Sequence, residues 1–180
     1  MPSRIPSEVH SQTARIVGEF VTHWAMVERC IDYCIAIIYQ RAGGKHIETE
    51  IPFALKRRVR FLRRCFQRLE PLAPFRPDAI KLLNRVESLT DTRHMLVHGC
   101  LSSILPQGED HQFVFVKIDL TENKQLHVSN SLTTSGRQLR QDIGEAFALA
   151  TDLTGFVERL LEAVVPEHKT NNLFRSVRGQ

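Results

Sequence analysis

Between Ser7 and Arg41 the apolar residues Val17, Phe20, Trp24, Val27, Ile31, Cys34 and Ile38 recur at alternating spacings of three and four. Steps of that size keep side chains on one stripe of an α-helix and make a coiled-coil-like seam. The pattern predicts one long packing helix over 7–41, with Ser7 as its cap and Gly18 as a point of kinking. Such a stripe serves a bundle core and a self-associating helix equally well. Gly43 and Gly44 then supply a turn. A second helix is expected over 52–69, its stripe formed by Leu55, Val59, Leu62, Phe66 and Leu69. Prolines at 71, 74 and 77 break the chain, and Pro77 with Asp78 makes a good start for a third helix over 77–98. Its buried side is Ile80, Leu83 and Val86 (or Leu82 and Leu89), then Leu96, and Gly99 stands just beyond its C-cap.

Past Gly99 the period changes from helical to two. Val114, Val116, Ile118 and Leu120 alternate with Phe113, Phe115, Lys117 and Asp119, a β-branched and aromatic stretch that predicts a strand. Thr121–Lys124 is a turn, Gln125–Ser129 returns as a partner strand, and Cys100–Leu105 is a candidate third. This β insertion, about 100–130, reads as a cover or an edge rather than a second domain. Thr133–Ser135 caps a long final helix over 135–165, striped by Leu139, Ile143, Ala146, Ala150, Leu153, Val157, Leu160 and Val164 and stopped by Pro166. Residues 1–6 read as a loose lead-in and 166–180 as a polar, mobile tail. The expected fold is mainly α, an up-and-down helical bundle of four main helices with a small antiparallel β insertion, in a single domain.

Composition narrows this picture in three ways. At 180 residues, 42% hydrophobic and 24% charged, the chain suits one soluble globular domain. Met1–His10 has no apolar core of a secretory signal, and no apolar run is long enough for a bilayer, so a cytoplasmic protein without membrane contact is expected. Cys30, Cys34, Cys65 and Cys100 then read as reduced thiols, with Cys30 and Cys34 as core packing because no second pair at ligand spacing accompanies them. No P-loop, nucleophile elbow or paired zinc motif is present, and no cofactor is expected.

The net charge of +4 becomes informative only through its distribution. The second helix carries Lys56, Arg57, Arg58, Arg60, Arg63, Arg64 and Arg68, with no acid before Glu70. A charge run is usually a solvated face. One of a single sign also concentrates polyanions, which makes Lys56, Arg57, Arg60, Arg63 and Arg64 candidate RNA-binding residues. An acidic protein partner is a third reading.

The densest chemistry lies in Asp91-Thr92-Arg93-His94-Met95-Leu96-Val97-His98-Gly99. A guanidinium offers a planar fork of donors suited to phosphate, and an imidazole exchanges protons near neutrality. Together they suit cleavage of an RNA phosphodiester by its own 2′-hydroxyl, without a metal. Five residues of ideal helix leave Arg93 and His98 about 140° apart around the axis, so they are not natural neighbours unless the last turn distorts or the arginine reaches round. A two-fold dimer would also bring them together. Asp91, His94 and His98 share a helix face, but their span of about 10 Å is too long for one ion. Otherwise the histidines are polar residues at a helix end, with Arg93 paired to Asp91 or Glu87.

The segment Arg93-His-Met-Leu-Val-His98 resembles the R-x(4–6)-H motif of the HEPN superfamily, all-helical domains that include metal-independent ribonucleases. The helix with Trp24-Ala-Met-Val-Glu28, the basic helix opening Phe53-Ala-Leu-Lys56, the motif helix and the long closing helix are similar in order to small bacterial members over about 10–165. The resemblance implies Arg93 and His98 as a catalytic pair at a homodimer cleft, with His94 standing where a polar residue, often asparagine, is usual. Glu28, unless it is a solvated acid, would support Arg93 by pairing with it, and Asp91 is a second supporting acid. Some members of the superfamily are inactive. An inactive dimer that holds a nucleotide, RNA or a protein partner, such as the antitoxin of a two-gene system, is therefore the alternative.

Overall fold

In the computed structural model the described residues are 7–108, 110–121 and 123–165, with backbone alone for 7–10. The expected lead-in over 1–6, the stop at Pro166 and the tail over 166–180 lie outside them. Among the described residues the fold is mainly helical. Four α-helices occur, α1 (Ser7–Arg41), α2 (Leu55–Arg68), α3 (Arg76–His98) and α4 (Gly136–Val164). Between α3 and α4 lie three strands, β1 (Cys100–Gln107), β2 (Asp110–Leu120) and β3 (Leu126–Ser135), in an antiparallel sheet of order β1-β2-β3. The chain divides into two compact units, one of Val86–Ala150 with the chain up to Val27, the other of Glu28–Arg85 with the chain from Thr151 on. Each of α1, α3 and α4 therefore supplies one stretch to each unit.

In the unit that holds the sheet, the predicted seam of α1 is buried at Phe20, Trp24 and Val27, with Phe20 and Trp24 stacked at 6.1 Å. Gly18 does not break the helix. Phe113 and Phe115 of β2 are buried, so the sheet supplies core rather than lying over it as a cover. It also extends further than expected, since β3 runs to Ser135. A bulge at Ser102 and another at Ser129 interrupt the register, which pairs Ile118 with Val128 and Leu120 with Leu126. Ser135 caps α4 as expected, its Oγ accepting from the amide of Gln138 at 3.1 Å. A second cap comes from β2. Asp110 accepts from the amide of Arg137 at 3.0 Å and from that of His111 at 2.8 Å, and these two bonds hold its carboxyl below the usual range.

The other unit buries Ile31, Cys34 and Ile38 of α1 with Val59, Leu62 and Phe66 of α2 and Leu153, Phe156 and Leu160 of α4. Phe66 and Phe156 meet edge-on at 5.7 Å. Phe61 and Cys65, outside the predicted stripe, are also buried, so the buried side of α2 is wider than one stripe. Burial lifts the Cys65 thiol to about 12 and pushes Cys30 and Cys34 up as well, which leaves all three protonated and inert. Arg76 closes the C-terminal end of α2, donating from Nε to the Phe66 carbonyl at 2.9 Å and from Nη2 to that of Gln67 at 3.1 Å. Gly43 takes the left-handed conformation at φ 85°, as the turn after α1 required.

Candidate functional site

The motif sits in the last turns of α3, and its geometry begins with how that helix ends. The amide of Gly99 donates to the Met95 carbonyl at 2.9 Å, and the strand β1 starts one residue later. A Cβ at position 99 would lie 2.4 Å from that carbonyl oxygen. The glycine is therefore required by this close approach, not by a left-handed C-cap, since its φ is not positive. One turn earlier, Thr92 donates to Asp142 of α4 at 3.3 Å, and Gln138 holds the other oxygen of that carboxylate at 2.9 Å. These bonds tie the motif turn to α4 within the same unit.

Arg93 and His98 meet within one copy of the chain. Arg93 Nη1 lies 3.2 Å from His98 Nε2. The pairing takes a route that the helix geometry left open, since the half-buried arginine side chain reaches along its own helix to the exposed imidazole. A guanidinium only donates, so Nε2 is the acceptor here and the ring proton belongs on Nδ1. His94 stands beside them, its ring centroid 5.1 Å from that of His98. Partial burial, with the nearby His98, Lys117 and Arg93, lowers the His94 pKa below its ordinary 6.5, against a smaller opposing pull from Asp91. Asp91 itself is exposed.

Lys117 was not foreseen as part of this cluster. It comes from β2, where it lies on the same face as the buried Phe113 and Phe115, and its ammonium is held by Asp119 at 3.1 Å. Its signal in the sequence was a charged residue in the inward phase of an amphipathic strand. The bond Thr92 makes to Asp142 was not legible at all, because it joins residues 50 apart in the chain.

The expected RNA-binding residues fare differently from one another. Arg57 and Arg64 both pair with Glu48, Arg57 at 3.2 Å, and Arg58 pairs with Asp32. Arg63 donates to the side chain of Asn84 at 2.9 Å. Lys56 and Arg60 are exposed. The single sign seen along α2 is thus offset by acids from the preceding turn and from α1. Glu28 is half-exposed. In the unit that holds α2 a polar cleft of about 330 Å³ is bordered by Asp78, Lys81, Arg85, Asp152 and Arg159. Two of its cations are matched, Arg85 by Asp152 at 2.6 Å and Arg159 by Asp78 at 3.2 Å.

Among the described residues no group of three or more His, Cys, Asp or Glu side chains is placed to hold a metal ion, and no helix is long and apolar enough to cross a membrane. No known family, curated protein or solved structure matches the chain. What the cluster offers chemically is a phosphate-binding cation in contact with one imidazole, a second imidazole kept neutral, and a further cation close by.

Proposed function

We propose that the chain is a metal-independent endoribonuclease of the HEPN type, working at Arg93, His94 and His98. The observation that carries this reading is the contact of Arg93 with His98 inside one copy. A phosphate with its charged oxygens is a stronger acceptor than a neutral ring nitrogen. An incoming phosphodiester would draw the Arg93 guanidinium to itself and free His98 Nε2. That nitrogen would then take the proton of the adjacent 2′-hydroxyl as its oxygen attacks phosphorus. The 5′-oxygen leaves and takes back a proton, relayed through His94 where the geometry requires it. The products are a 2′,3′-cyclic phosphate and a 5′-hydroxyl. Arg93 stabilises the charge that builds on the phosphorane oxygens. Exposed Lys56 and Arg60 would add contacts to the RNA backbone, and the four helices would stand as an up-and-down bundle in a cytoplasmic protein. The homodimer cleft is no longer needed to unite the pair.

The test is RNA cleavage in excess EDTA, with the ends identified. Fragments ending in 2′,3′-cyclic phosphate from the wild type, with none from His98→Ala, are the expected result. Equal survival of RNA with both proteins, or loss of cleavage on adding EDTA, would refute the mechanism.

One observation favours a second reading. The Arg93 donor and the His98 acceptor already satisfy each other, as they would in an inactive module that binds a nucleotide, RNA or an antitoxin-like partner. Expression in a host cell separates the two. A nuclease slows growth and Arg93→Ala relieves it, whereas an inactive module leaves growth unchanged with either form.

A further inference from the structure

The β2–β3 hairpin leaves an apolar face in water. Ile118, Leu120, Leu126 and Val128 are 51%, 69%, 73% and 58% exposed. The register makes them one surface, because Ile118 pairs with Val128 and Leu120 with Leu126, two residues further along each strand. Val114 and Val116 continue the same face on β2, and Leu105, also exposed, lies on it from β1. Monomeric proteins rarely leave contiguous apolar patches beyond about 300–600 Å² uncovered, and such patches usually mark a contact.

The chemistry of the face selects its occupant. No charged side chain stands on it between Gln112 and Leu120 of β2 or between Leu126 and Thr133 of β3. The charged residues of the two strands over 112–120 and 126–133, Lys117 and Asp119, are on the opposite face and paired with each other at 3.1 Å, and Lys124 stands in the connecting turn. On the strands of this face a nucleic acid would find no cation, and a charged peptide no counter-ion. An uncharged face is complementary to a copy of itself, and its layout strengthens that match. The β-branched row Ile118–Val128 and the leucine row Leu120–Leu126 lie about 7 Å apart along the strands. A two-fold axis in the contact plane, running across the strands between the two rows, sets each copy's leucine row on the other's β-branched row, with the sheets about 10 Å apart.

We propose that this face of the β2–β3 hairpin is the contact surface for a second copy of the chain, packed sheet on sheet. The inference is independent of any cleavage activity, since it concerns residues outside the Arg93 cluster and is read without RNA. The four side chains make a smaller contact than the roughly 800 Å² per partner of a standard interface, so the dimer should dissociate in the micromolar range.

Sedimentation equilibrium of the full chain from about 1 to 100 µM tests this range. A monomer–dimer equilibrium is expected for the wild type. Leu126→Lys or Ile118→Lys should weaken it at least about tenfold, while His127→Lys, on the opposite face, leaves it unchanged. Should a lysine variant lose its helical circular dichroism, Leu126→Thr carries the same test with a smaller expected shift of at least about threefold. The proposal is overturned by a wild type that stays monomeric throughout. It is equally overturned by a dimer that folded Leu126 and Ile118 variants leave intact.

Discussion

Two arginine-bearing regions look alike when cations are counted and differ when partners are. On α2, Arg57 and Arg64 share Glu48 and Arg58 takes Asp32, so three guanidinium groups are offset by carboxylates. At the end of α3, Arg93 is in contact with an imidazole, that of His98. Exposed ion pairs contribute little to stability, about 0–1 kcal/mol each, but they do lower the charge a polyanion meets. Charge density along a helix is thus a weak guide to an anion site. What a cation is bonded to in the resting state is a better one, because a phosphate displaces a ring nitrogen more readily than it displaces a carboxylate.

That contrast can be broken most directly by activity. His98→Ala or Arg93→Ala should lower RNA cleavage by about 100-fold or more, whereas Lys56→Ala with Arg60→Ala should raise KM and leave kcat nearly unchanged. If the α2 double variant loses as much turnover as His98→Ala, the two regions do not differ in kind. The next effect is on stability. Gly99→Ala forces a Cβ against the Met95 carbonyl and should cost about 1–3 kcal/mol, read as a fall in Tm. Gly18→Ala, in a helix with open space around it, should instead stabilise by up to about 1 kcal/mol.

Salt dependence sharpens the other side of the comparison. Removing Lys56 and Arg60 should reduce the slope of log K against log salt for single-stranded RNA by about 1.4. Removing Arg57 and Arg64 should change it less, and Glu48→Gln should strengthen binding by releasing both. The smallest effect is a titration. The His94 ring signal should move at a pH below 6.5, and Lys117→Ala should raise that midpoint. Because the folded chain holds this proton less tightly than the unfolded one, the group favours unfolding as pH falls below about 6.5 and has no such effect above it.

Periodicity made most of the helical architecture legible. The bounds of α1 agree with the seam from Val17 to Ile38, and Ser135 caps α4 where the sequence places a cap. Alternation located β2, although it could not say which face would be buried, and the phenylalanines proved to be inward. The site was legible as a list of residues and not as a geometry. A helical wheel fixes the directions of Cβ atoms, so it separated Arg93 from His98, while the length of one side chain closed the gap. Lys117, Asp142, Glu48 and Asp32 escaped notice for a common reason. Each acts on a partner in another element, and no local pattern records such a distance.

The carboxylate of Asp110 has a kinetic consequence. It satisfies one orphan amide at the start of α4, that of Arg137, from a position 27 residues upstream, on a strand that pairs with β3. The first turn of α4 is therefore completed only once the β2–β3 register has formed. Asp110→Asn should accelerate unfolding more than it slows folding, which places this cap on the native side of the folding barrier.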